Sequence, residues 1–121
     1  MAGDNPALSV TRADFVPLES VKIGTFQELP GLYIFLNAAG HAVYIGESGH
    51  VPRRIQQHRK KPWFSEELKV VFWPCEDPED RLMAETVMIF RERPRANRAI
   101  KIGLAKDGRL IPLQFISSKR G

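Results

Sequence analysis

A chain of 121 residues, 43% hydrophobic and 26% charged, is ordinary for a soluble globular protein and long enough for one domain with a modest core. No run approaches the roughly eighteen apolar residues of a membrane span, and a single cysteine, Cys75, excludes a disulfide framework or a cysteine-rich zinc site. The formal charge of +4 hides an asymmetry: −3 over residues 1–50 (two Lys/Arg, five Asp/Glu) and +7 over residues 51–121 (sixteen against nine). The opening Met1-Ala-Gly-Asp-Asn-Pro has neither the basic start nor the apolar stretch of a secretory signal, so a reducing, cytoplasmic setting is expected.

In chain order, Leu8, Val10, Phe15, Val16, Leu18 and Val21 are scattered apolar positions expected to pack along a sheet. Pro30-Gly31 signals a turn into a strand, Leu32 to Leu36. Asn37-Ala38-Ala39-Gly40 turns the chain into a second strand, Ala42 to Ile45, so the two should pair as an antiparallel hairpin. Ser48 to Pro52 breaks the pattern, and Pro52 suits the first turn of a helix running through Arg53 to Lys60 and ending before Pro62. Leu68 to Trp73 reads as a third strand, with Cys75 as a small buried hydrophobe at its end. The acids of Glu76-Asp77-Pro78-Glu79-Asp80 read as helix-start chemistry rather than a metal cluster: Asp77 as N-cap, Pro78 as first residue, and a helix to Arg93 that stops before Pro94. Beyond it, Ile100 to Leu104 and Leu110 to Ile116 flank Lys106-Asp107-Gly108, a hairpin signal, with Pro112 favouring an edge.

Three features point to chemistry. Arg53, Arg54, Arg59, Lys60 and Lys61 form an acid-free basic segment, and Arg91, Arg93, Arg95, Arg98 and Lys101 form a second one broken only by Glu92. Such clusters attract polyanions, and their binding is salt-dependent through counterion release. Glu85 is the only charge from Leu82 to Phe90; a carboxylate on so apolar a helix must be paired, neutralised or bound to a cation, with Arg54 or Arg81 as the alternative partners. Arg54 and His58, four apart, share one helix face, whereas His41 and His50 read as turn residues.

Gly31-Leu32-Tyr33 and Tyr44-Ile45-Gly46, with Arg54 and His58 ten and fourteen residues after Tyr44, and Glu85 followed by Pro94 and Asn97, resemble the GIY-YIG nuclease family. The likeness covers Leu29 to Arg98. It implies an α+β fold, a three-stranded antiparallel sheet flanked by helices, here in a single 1–121 domain with a 29–98 core, an N-terminal extension 1–28 and a C-terminal hairpin extension 99–121. It further implies a DNA endonuclease using Mg²⁺ or Mn²⁺ held by Glu85 and leaving 5′-phosphate and 3′-hydroxyl ends. Arg54 would face the developing phosphorane, and Tyr44, or next His58, would take the proton of the attacking water. Tyr33 would position that water, and Asn97 would hold the site together. Arg53, Arg59, Lys60, Lys61, Arg95 and Arg98 are the expected DNA contacts. The stretch Arg53 to His58 is similar to that of members that cut branched DNA. Glu47 departs from the neutral or basic residue usual there; it would repel the phosphate, pair with Arg54 or add a metal contact. The alternative is a nucleic-acid-binding or protein-interaction module on the same fold with little turnover. With no room for a separate targeting domain, recognition would fall to the chain's own surface, to a protein partner or to a homodimer.

Overall fold

The computed structural model describes residues 6–21 and 28–97, and the backbone of 102–104 and 110–112. Its elements are α1 (Pro6–Ser9), β1 (Val16–Pro17), β2 (Gly31–Leu36), β3 (Ala42–Ser48), α2 (Val51–His58), β4 (Lys69–Pro74), α3 (Pro78–Glu92), β5 (Ile102–Leu104) and β6 (Leu110–Pro112), with 3₁₀ turns at Arg12–Asp14, Leu18–Ser20 and Arg95–Asn97. The first four strands form one antiparallel sheet in the order β1-β4-β2-β3. The expected three-stranded unit is its body; β1 adds two residues at the outer edge of β4, where Val16 lies opposite Phe72. β5 pairs with β6 as expected of the C-terminal hairpin, while its connection and Arg98 lie outside the described residues.

β2 is central, and its Gly31 to Phe35 are all buried, so it reads as a continuous apolar run. Its alternation sorts two layers. Leu32 and Ile34 join Ile45 against Ala7, Val10 and Phe15 of the N-terminal segment and Ala84 and Met88 of α3. Tyr33 and Phe35 join Phe72, Val43 and Val51, with Ile55, Trp63 and Phe64 packed around them. Val10 and Phe15 thus fulfil the expected packing of the N-terminal segment, whereas Leu8 and Val16 stay exposed, one on a single-turn helix and the other on a two-residue edge strand.

The local chemistry follows the sequence closely. Asn37 Oδ1 accepts from the N–H groups of Ala39 (3.0 Å) and His41 (2.9 Å), and Gly40 takes φ +86°, which builds the hairpin turn. Tyr44 lies opposite Phe35 and Ala42 opposite Leu36, so Val43 is an extra residue, a bulge that turns its side chain into the Tyr33 layer beside Tyr44. Pro52 sits in the first turn of α2, and His50 is more than a turn residue: its Nδ1 caps that helix by accepting from Arg53 N–H at 3.3 Å. Asp77 caps α3 through Asp80 N–H at 2.9 Å, and the helix ends at Arg93 in the left-handed region. Cys75 is half-buried just past β4 rather than part of the core. No helix among the described residues is long and apolar enough to cross a membrane.

β3 is an edge strand, yet the outer backbone groups of Ile45 are not left to solvent. Asn97 Oδ1 accepts from Ile45 N–H at 2.8 Å and Asn97 Nδ2 donates to Ile45 O at 3.0 Å, so one buried side chain stands in for a neighbouring strand. Asn97→Ala should therefore strip two buried partners at once. We expect a loss of about 1–3 kcal/mol per group left unpaired, read as a lower denaturant midpoint at unchanged m-value.

Candidate active site

The two motif tyrosines are similar in sequence and unlike in the fold. Tyr33, on the central strand, is buried, and its hydroxyl shares a 2.7 Å hydrogen bond with His58 Nε2. Its ring end lies over Gly46, directly across the strand pair; a Cβ at Gly46 would overlap the Tyr33 hydroxyl and press on the Tyr44 ring. A Cβ at Gly31 would likewise run into the Trp73 carbonyl and the Phe72 ring. Both motif glycines are thus required by close approach.

Tyr44, on edge strand β3, stays half-exposed. It lines a 380 Å³ cavity together with Arg54, Gln57, His58, Lys61, Trp63 and Ala96. Its ring stacks on Trp63 at 4.9 Å and 10°, and lies 4.6 Å from the His58 ring. Arg54 and His58 therefore reach one cavity, as their shared helix face predicts. Trp63, Gln57 and Ala96 were not anticipated; the only sequence hint was an aromatic residue at the end of a basic segment.

Burial pushes the Tyr33 phenol far up, reinforced by Tyr44 and opposed by Arg54. Tyr44 is pushed up to about 12, first by burial and then by Glu85, with Arg54 opposing. His58 is driven down to about 4 by burial and by the positive charges of Arg54 and Lys61, so its imidazole is neutral at pH 7. Its Nε2 is engaged by Tyr33 and its Nδ1 is buried without a protein partner.

Glu85, on α3, is 7% exposed, and its charge acts on both tyrosines. Among the described residues no three His, Cys, Asp or Glu side chains converge to hold a metal, and the carboxylates whose charge is felt at both tyrosines are Glu85 and Glu47. That set fits a hard, hydrated divalent cation, which takes one or two carboxylates and completes its shell with water and phosphate oxygens. Arg81 is committed elsewhere: its Nε donates to Glu47 Oε1 at 2.8 Å and its Nη1 to the carbonyl of Glu76 at 2.8 Å. Glu47 is thus an ion-pair partner of Arg81 where a pairing with Arg54 was one expectation, and its charge still acts on both tyrosines. Among the expected DNA contacts, Arg53, Lys60 and Arg95 are exposed, Lys61 lines the cavity, and Arg59 pairs with Glu66 at 3.1 Å while lying over the Phe64 ring.

The sequence profile of the GIY-YIG catalytic domain matches residues 29–93, more than half of the chain. The chain belongs to the GIY-YIG family, and with it to the endonuclease class of hydrolases. Among individual proteins it is similar to UvrABC system protein C of Bacteroides fragilis, 28% identical over 87 residues, covering 65% of this chain and 14% of that protein. It is also similar to UvrABC system protein C of Hydrogenovibrio crunogenus, 27% identical over 101 residues, covering 75% of this chain and 15% of that protein. The chain therefore spans about one seventh of the length of these relatives.

The buried neutral imidazole gives a pH signature with a definite sign. The folded-state pKa of His58 lies below its unfolded value near 6.5, so the unfolded chain binds more protons between about pH 4 and 6.5. Stability should fall as pH drops through that window and level off beneath it. His58→Gln should flatten this part of the profile, measured by denaturant unfolding at a series of pH values.

Proposed function

We propose that the protein is a divalent-metal-dependent endonuclease that hydrolyses phosphodiester bonds of DNA. The observation that carries this reading is the convergence on one cavity of a half-exposed phenol, Tyr44, and the guanidinium of Arg54, with the buried carboxylate of Glu85 acting electrostatically on the same phenol.

In this reading Glu85 holds Mg²⁺ or Mn²⁺, which when bound supplies Lewis-acid polarisation of the phosphate and offsets the negative charge by which Glu85 raises Tyr44. Arg54 lies against the non-bridging oxygens and stabilises the charge that grows there in the transition state. Tyr44 acts as the base in its phenolate form, which Arg54 favours and Glu85 opposes, and takes a proton from the attacking water. The water oxygen forms the new bond to phosphorus, the bond to the 3′ oxygen breaks, solvent water protonates that oxygen, and the ends are a 5′-phosphate and a 3′-hydroxyl. His58 is the weaker candidate for the base: its Nε2 is bound to Tyr33 and its basicity is low. Tyr33 orients that imidazole through its hydroxyl, which keeps a lone pair with which to position the water. Lys60, Lys61 and Arg53 supply phosphate contacts that are blind to sequence. The alternative of a binding module without turnover rests on the basic stretches and on Glu47, and the pairing of that carboxylate with Arg81 weakens the second of these.

The test is cleavage of single-stranded, duplex, flap and four-way-junction DNA with Mg²⁺ or Mn²⁺, EDTA as control. Cutting should require the metal and should vanish in Glu85→Ala while DNA binding persists. Arg54→Ala should lower kcat by about 10²–10³-fold. A preference for the flap or junction would support structured DNA as the substrate. Chelator-resistant cutting, or full activity in Glu85→Ala, would overturn the metal role of Glu85.

A further inference from the structure

The cavity around Tyr44 has a basic neighbour. A second cavity of 350 Å³ opens beside the β2–β3 turn and is lined by Arg12, Asn37, His41, Glu92, Arg93 and Arg95, together with Ala42 and Val43 of β3. The two share their supports. Ala96 lines the first and Arg95 the second, as successive residues of one 3₁₀ turn; Tyr44 and Val43 do the same on β3.

The charges of this second cavity do not cancel. Glu92, its one carboxylate, lies 3.7 Å from Arg12 Nη2, which leaves the guanidiniums of Arg93 and Arg95 as the excess. Arg93 is held in place: its Nε donates to the Phe90 carbonyl at 3.0 Å and its guanidinium lies over the Phe90 ring. Arg12 donates to the Gly40 carbonyl, and its Nε meets no acceptor. Asn37 Oδ1 already accepts two backbone N–H groups, so what its amide has left to offer is N–H donors. Guanidinium and amide donors in excess over acceptors are the chemistry of phosphate recognition.

We propose that this cavity is a phosphate subsite for the DNA strand that is cut, taking a backbone phosphate next along from the one held at Tyr44 and Arg54. The inference rests on the nuclease reading and extends it: the strand runs from the first cavity past the Arg95–Asn97 turn to the tip of the hairpin. Contacts of this kind fix position and register without reading bases.

The test uses the full chain with Arg93→Asn and His41→Gln together; asparagine tolerates the left-handed backbone at position 93 (φ 49°). DNA binding is followed by fluorescence anisotropy across a NaCl titration, and cleavage under steady-state conditions. The double variant should bind DNA several-fold more weakly, with the slope of log Kobs against log salt reduced by about one. KM should rise at unchanged kcat, and a minimal phosphodiester such as a nitrophenyl ester of thymidine 5′-phosphate should be cut as by the parent protein. Parental DNA affinity, salt slope and KM in the double variant overturn the subsite. If those stay parental while binding of inorganic phosphate, followed by NMR, is lost, the cavity is a free-anion site and the proposal fails equally. Cutting that depends on Glu85 but not on Arg93 and His41 overturns this inference alone. DNA binding that depends on Arg93 and His41 without any cutting overturns the nuclease reading alone. A parent protein that neither binds nor cuts DNA overturns both.

Discussion

The hydroxyl of Tyr33 is the point on which the architecture turns. A phenol placed in an apolar layer must find a partner or forfeit about 1–3 kcal/mol, and here the partner is His58, brought in from α2. The same ring end needs the empty space over Gly46 on the adjoining strand. One group therefore couples the pairing of β2 with β3 to the docking of α2, and so fixes the wall of the cavity. Its position has a chemical consequence. His58 is bound in its neutral form beside Arg54 and Lys61, which keeps the imidazole from adding a third positive charge to that wall.

The distribution of charge around Tyr44 follows the same economy. Glu47, one residue beyond Gly46, would place a carboxylate close to any bound phosphate, yet Arg81 of α3 engages it with a short, largely buried contact. Glu85 and Arg54 act on the Tyr44 phenol in opposite senses. The phenol is thus poised between a buried negative group and an exposed positive one, so its acidity responds to whatever alters either of them. An isolated tyrosine in the same strand would lack that lever. The stacking of Trp63 limits the orientations in which the ring can use it.

Much of this was legible in the sequence where the cause is local. Asp77, Pro78 and Pro94 bound α3 through capping and steric chemistry contained within the helix itself, and Asn37 to Gly40 encode their turn in the same way. What was hidden depends on distant partners. β1 has no strand signal of its own: Val16 and Pro17 extend because the outer edge of β4 is open to them. The Glu47–Arg81 pair spans 34 residues and leaves no periodic trace. The different fates of Tyr33 and Tyr44 are also a matter of topology. The two are equivalent as motif letters, but one sits on the central strand and the other on the edge, so Tyr44 lines the cavity while Tyr33 is buried with its hydroxyl bonded to His58.

The edge position that exposes Tyr44 brings a liability, because an unpaired edge strand invites association with other chains. Asn97 meets it at the level of one residue, giving Ile45 the acceptor and the donor that a further strand would have supplied. A real strand there would cover the side of β3 along which the two cavities lie. A side chain arriving from a 3₁₀ turn satisfies the same groups while leaving that side open, and the turn it comes from carries Ala96 into one cavity and Arg95 into the other. The Asn97–Ile45 pair therefore ties to β3 the turn whose residues line both cavities. Edge protection and the placement of the residues that line the two cavities are in this way one problem with one solution, and it is carried by a buried residue.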